Sequence, residues 1–248
     1  MKKILTVLAC VMACVQNVGA QDYFGAAADY ARLYVGSLEP QYQLAMWHDA
    51  PYYKGDTDMY EGRVCYHGVT YENVKLRFDE LMQRVVVLSP VGSVLCVPEQ
   101  EHIDWFEMDG HRCVHDPEDN SRFAVLLWDG DKELDESKGG NGLRLYHSVW
   151  KVFSGENNFG GNRSLRILST KEHYTLVTPD GVCHRVKRGK DVAKLFPEQR
   201  QQIRRISRTE GLKFSKNRRE QSLVRVVETI TTTNYTNFTN GNEELTDS

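Results

Sequence analysis

Residues 61–78 read EGRVCYHGVTYENVKLRF, and the rhythm of this stretch decides the fold. Val74, Leu76 and Phe78 fall on one side of an extended chain, while Lys75 and Arg77 fall on the other. Side chains alternate across a strand, so a two-residue period with one apolar side predicts a half-buried antiparallel strand. His67-Gly68 interrupts the run where a tight turn needs a positive φ.

Working outward, the same signal recurs. Arg84 to Ser89 is a β-branched run closed by Pro90, and Val94 to Val97 continues after Gly92. Phe123 to Trp128 and the long stretch Leu143 to Phe153 repeat it, and Tyr174–Val177 and Val182–Val186 flank Thr178-Pro179-Asp180-Gly181. Asp109-Gly110, Asp129-Gly130 and Asp180-Gly181 supply further turns. Short strands joined by glycine turns predict hairpins in chain order. The predicted fold is mainly β: an antiparallel meander, sandwich or partial barrel over residues 22–187. A βαβ arrangement is excluded because no helical period separates the strands.

A basic helical segment, residues 188–230, is predicted to pack on this body and to carry two C-terminal α-helices. In the first, Pro197 opens the helix, Ile203 and Ile206 face inward, and Gly211 stops it. In the second, which starts near Ser215 or Asn217, Asn217 and Glu220 have the spacing of a capping box. Leu223, Val226, Val227 and Ile230 then form one apolar stripe. Beyond Ile230 the composition turns to Thr, Asn and Gly, which predicts a disordered tail over residues 231–248.

The first twenty residues have the layout of a cleavable secretory signal. Lys2 and Lys3 precede an apolar run from Ile4 to Val15, and Val18-Gly19-Ala20 supplies small residues for cleavage. The run is shorter than the roughly 20 residues of a membrane span. Cys10 and Cys14 follow alanine, but the residues before them fit a lipid-attachment box poorly. The expected location is therefore exported, in the periplasm or at the outer membrane, with no transmembrane span and no lipid anchor. Four cysteines survive cleavage: Cys65, Cys96, Cys113 and Cys183. They admit two disulfides in any of three pairings, or four buried thiols acting as small hydrophobes.

The net charge of −3 conceals a split. Residues 22–184 carry 26 Asp and Glu against 15 Lys and Arg, while residues 185–225 carry 4 against 14. An exported chain rarely meets nucleic acid, so no nucleic-acid partner is predicted. The basic segment instead docks on the acidic body, or meets an envelope protein or an anionic surface. Arg200, Arg204 and Arg208 form an i, i+4, i+8 ridge with Arg205 beside it. Such a ridge either grips an acidic partner or lipid head groups, or is the wet face of an amphipathic helix.

Catalytic signatures are sparse. There is no G-x-S-x-G elbow, H-E-x-x-H helix or phosphate-binding loop. His111, Cys113 and His115, in the run HRCVH, project to one side of a strand and offer two imidazoles and a thiol to a metal. His102 or Asp116 could serve as a fourth ligand. Spread over about 13 Å of strand, the three reach one ion only if the strand bends. The other reading is two surface histidines flanking a packed cysteine. The acidic run Asp129 to Glu136 lacks the glycine and terminal glutamate of an EF-hand and reads as a solvated loop.

The segment from Leu33 through Pro51-Tyr52-Tyr53, then EGRVCYHGVTYENVKLRFDELMQRVVVL (Glu61 to Leu88), resembles uncharacterised exported proteins of Bacteroidota-type Gram-negative bacteria. Ile103-Asp104-Trp105-Phe106, Leu126-Leu127-Trp128-Asp129-Gly130 and the FPEQRQQI helix are similar to later parts of that family. The resemblance implies an envelope location and brings no catalytic residues. The cysteines and HRCVH depart from it. Taken together, the sequence predicts a non-catalytic secreted binding or scaffold module without a cofactor. The alternatives are a metal-dependent protein or enzyme using His111, Cys113 and His115, and a small-ligand or lipid carrier.

Overall fold

A computed structural model describes residues 32–44, 47–133, 142–158 and 164–243. The predicted signal, including Cys10 and Cys14, residues 134–136 of the acidic run and the last five residues of the tail lie outside them.

Among the described residues, ten strands form one antiparallel open sheet. They are β1 (Tyr60–Tyr66), β2 (Val69–Asp79), β3 (Arg84–Leu88), β4 (Val94–Cys96), β5 (Ile103–Met108), β6 (His111–His115), β7 (Phe123–Asp129), β8 (Arg144–Asn158), β9 (Ser164–Val177) and β10 (Cys183–Arg185). The order across the sheet is β10-β9-β8-β7-β6-β5-β1-β2-β3-β4, two meanders joined where β1 pairs with β5. The mainly β expectation holds, and Val74, Leu76 and Phe78 are buried on one side of β2. Two of the predicted turns, His67-Gly68 and Asp109-Gly110, place both residues at positive φ. Asp129-Gly130 does not. Gly130 opens a single helical turn, α1 (Gly130–Glu133).

The first half of β9 carried no sequence signal. Its residues from Leu165 to Lys171 are half-buried or exposed, so no apolar side marks them. Pairing with β8 at each of its seven residues holds this segment instead.

The sheet curls until the β2–β3 turn rests on β8. Lys151 N–H donates to the Glu80 carbonyl at 2.9 Å. Gln83 donates through Nε2 to the Val149 carbonyl and accepts the Phe123 N–H on Oε1. Gln100 pins the crossing from β4 to β5, accepting the Val85 N–H at 2.7 Å and donating to the Val97 carbonyl at 2.6 Å.

Two apolar clusters result. One fills the curl with Val64, Leu76, Val85, Ile103 and Phe106. In the other, Leu145, Tyr174 and Leu176 of the sheet meet three helices: α2 (Gly189–Leu195), α3 (Arg200–Thr209) and α4 (Arg219–Glu243). Leu223, Val226, Val227 and Ile230 of α4 are each at most 1% exposed. At roughly 1.5–3 kcal/mol for each fully buried aliphatic side chain, the stripe is the chief force docking α4. The α4 backbone stays helical past Ile230 to Glu243, where composition predicted a disordered tail.

Candidate functional site

The α2 helix is short and its start is fixed by an acid. Asp191 Oδ2 accepts both the Lys187 and Arg188 N–H groups at 3.0 Å. A carboxylate in the first turn also opposes the helix dipole. Val192 and Ala193 face the core. Pro197 then opens a 3-10 turn that runs into α3, whose Ile203 is 2% exposed. Gly211, at φ +60°, ends the segment and returns the chain as Phe214. A side-chain carbon on Gly189 would lie 3.1 Å from Phe214 Cζ, so glycine lets the ring close on α2.

Between the two helices runs an open groove of about 980 Å³. From α3 it is lined by Arg200, Ile203, Arg204, Ser207 and Arg208, a helical i, i+3, i+4, i+7, i+8 stripe. Lys190, Ala193 and Lys194 present the facing stripe from α2, with Arg188 before it. Pro197 and Phe214 provide apolar surface, above the buried Ile203 and Ala193. Six cationic side chains thus line the groove, and no acidic one is among the described lining residues. Arg200, Arg204 and Arg208 are exposed and form no ion pair with a described carboxylate, unlike Arg219 with Glu172 and Arg225 with Glu210. Of the four arginines singled out from sequence, Arg205 lies outside the groove.

A second cavity, of about 420 Å³, lies on the helix-bearing side of the sheet. Phe78, Met108, Phe123, Val125 and Val149 give it apolar walls, interrupted by Glu80, Lys151, His111, His147 and Glu220. Lys151 donates to the Ala50 and Tyr52 carbonyls at 2.6 and 2.8 Å and lies 3.4 Å from Glu80. Burial pushes the Glu80 carboxyl up to about 7, and the Lys151 ammonium pulls the other way without cancelling it. His147 stacks on Tyr174 with 4.1 Å between ring centres, and its Nδ1 is 3.2 Å from Glu220 at the start of α4. The hydrogen bond with His147 holds Glu220 below the usual carboxylate range.

On the opposite side of β8, Asp116 lies 3.4 Å from His173 Nε2. Burial opposes its ionisation, yet the neighbouring His173 ring and Ser148 hydroxyl, together with the hydrogen bond from the Glu118 N–H, outweigh that and bring it to about 2. Ser148 is fully buried and lines neither cavity, so the trio offers no accessible nucleophile.

The HRCVH run is β6 itself, and its three candidate ligands stay spread along an extended strand. Cys113 is 4% exposed, and burial raises its thiol to about 12. His115 stacks on Phe123, and its Nδ1 lies 3.0 Å from the Asn120 carbonyl. Only His111 and Cys113 reach the second cavity. Among the described residues the ligand atoms that do gather are those of His67, Glu99 and His102, so His102 belongs with His67 and not with β6. All four cysteines expected after cleavage are free thiols.

The sequence reading missed Lys190 and Lys194, because α2 is too short to show a period. Asp191, three residues after Arg188, was its one local signal. It also missed Glu80 and Lys151, which meet only through the curl of the sheet. No family model, curated protein or solved structure matches the chain.

Proposed function

We propose that the protein is a non-catalytic binding module of the exported envelope compartment, which holds an acidic segment of a partner protein between α2 and α3. The observation that carries this reading is the groove itself: six cations on two facing stripes, with no carboxylate among its described lining. Arginine forks pair with carboxylates in a bidentate manner, and a concave basic surface attracts such a partner over several ångströms. The apolar surface of Pro197 and Phe214 favours a segment that mixes acidic and apolar side chains. A concave channel suits an extended chain better than a flat bilayer. The Lys2-Lys3 start, the apolar run after it and the resemblance to exported proteins support the compartment.

The test is fluorescence anisotropy with a labelled peptide alternating Glu and Leu, beside co-sedimentation with vesicles containing phosphatidylglycerol. The reading predicts saturable peptide binding that weakens steeply with salt. Binding to vesicles alone would replace the peptide with an anionic surface, and binding to neither would remove the reading.

A second reading is a small-ligand carrier, favoured by the apolar cavity with Glu80, Lys151 and His147 facing it. Native mass spectrometry of freshly isolated protein tests it. A bound mass lost in Val125→Trp, which fills the cavity, supports it.

A further inference from the structure

We infer that the β1–β2 turn and the turn entering β5 together form a surface site for one divalent transition-metal ion of the zinc or copper class, with His67, Glu99 and His102 as its protein ligands. The two turns are far apart in sequence and tied together by backbone. The His67 N–H donates to the His102 carbonyl at 2.9 Å, and the His102 N–H donates to the Glu99 carbonyl at 2.9 Å. This lattice places three donor side chains on one edge of the protein. One ligand atom from each lies within 4.8 Å of the other two.

The spacing fits a shared ion. Zinc bonds imidazole nitrogen and carboxylate oxygen at about 2.0–2.2 Å, so two ligands of one ion sit at most about 4 Å apart. His67 Nε2 and Glu99 Oε2 are already 3.1 Å apart. The His67 and His102 rings stack with 4.2 Å between centres. The two rings are 25° from parallel, so one exposed imidazole must turn about its side-chain bonds for both in-plane lone pairs to face one ion.

The backbone is also set for this arrangement. His67 and Glu99 both adopt left-handed conformations, at φ 51° and 47°. Non-glycine residues there store roughly 1 kcal/mol or more each, a cost that persists where surrounding structure imposes it. Asp104 fixes the first turn by accepting the Gly68 N–H at 3.0 Å and the Cys65 thiol at 3.3 Å. The Tyr66 ring packs edge-on against His67 at 4.4 Å.

Two imidazoles and one carboxylate select a borderline ion such as zinc or copper over calcium or magnesium, which prefer all-oxygen shells. Three protein ligands on an exposed edge leave the remaining coordination positions to water or to a donor from another molecule. The site is made of different elements from the basic groove, so it stands or falls independently of the acidic-segment reading.

Isothermal titration of untagged protein with zinc chloride, and separately with copper(II) chloride, decides the matter. One ion per chain is expected. His67→Asn keeps a residue that tolerates the left-handed turn while removing a ligand, and His102→Gln and Glu99→Gln remove the others. Each should weaken binding by at least about tenfold, the minimum expected when coordination is disturbed. His115→Asn should leave it unchanged. Absence of stoichiometric uptake of either ion, or uptake unaltered in both His67→Asn and His102→Gln, would overturn the assignment.

Discussion

Lys151 Nζ lies 3.4 Å from a carboxylate oxygen of Glu80, with the two side chains only 3% and 5% exposed. The pair closes the curl of the sheet, since the Lys151 N–H also donates to the Glu80 carbonyl and the ammonium donates to two carbonyls of the segment before β1. Removing one member of a buried ion pair strands the other. Lys151→Met should therefore cost about 3–5 kcal/mol in urea unfolding monitored by tryptophan fluorescence. A loss below about 1 kcal/mol would show that the curl does not depend on the pair.

The same pair sets a pH dependence. Glu80 has a folded pKa raised from its ordinary 4.5 to about 7. A raised folded value means the native state binds the extra proton, so this contribution is complete below pH 4.5 and is lost as pH rises through 7. The urea midpoint of Glu80→Gln, measured against wild type from pH 4.5 to 8, should fall less steeply over that window. Parallel profiles would place the ionisation of Glu80 elsewhere.

Gly62 sits on β1 opposite Met108 of β5, tight against the β5 backbone. A side-chain carbon there would lie 1.8 Å from the Glu107 carbonyl oxygen and 2.9 Å from Leu76 Cδ2. Gly62→Ala should destabilise by about 3 kcal/mol or more, as overpacking does where backbone cannot yield. Gly68→Ala, at φ +74° with nothing within 4 Å, should cost only about 1 kcal/mol. Thermal unfolding of the two variants side by side checks the difference.

Cys65, Cys96 and Cys113 are buried, and Cys183 is half-buried. Burial raises all four thiols, Cys113 to about 12. Because the thiolate is the reactive form, Cys183 should be alkylated first under native conditions and Cys113 only on unfolding. Peptide mapping after timed iodoacetamide treatment reads the order. Early labelling of Cys113 would contradict its place in the core.

The strands were legible because a two-residue period with one apolar side leaves a mark in composition, as at Val74, Leu76 and Phe78. The first half of β9 left none, because its aliphatic residues Leu165, Ile167 and Leu168 do not fall on one side and pairing with β8 holds it. Along α3 the arginine ridge was visible, but its direction was not. Only the packing of Ile203 against the second cluster shows that Arg204 faces α2 and Arg205 does not. The meeting of His67 with Glu99 and His102 was hidden for a different reason. It depends on the β4–β5 crossing, which no local spacing encodes.

Arg204 and Arg205 are adjacent on α3 and equally charged, and only Arg204 lines the groove. Affinity of the labelled acidic peptide for Arg204→Glu and Arg205→Glu, measured by anisotropy at one salt concentration, therefore separates a shaped site from net charge. Arg204→Glu should weaken binding by at least about tenfold, or 1.4 kcal/mol, with Arg205→Glu near wild type. Equal losses in the two variants would show that the peptide responds to overall charge and that the groove is not a binding site.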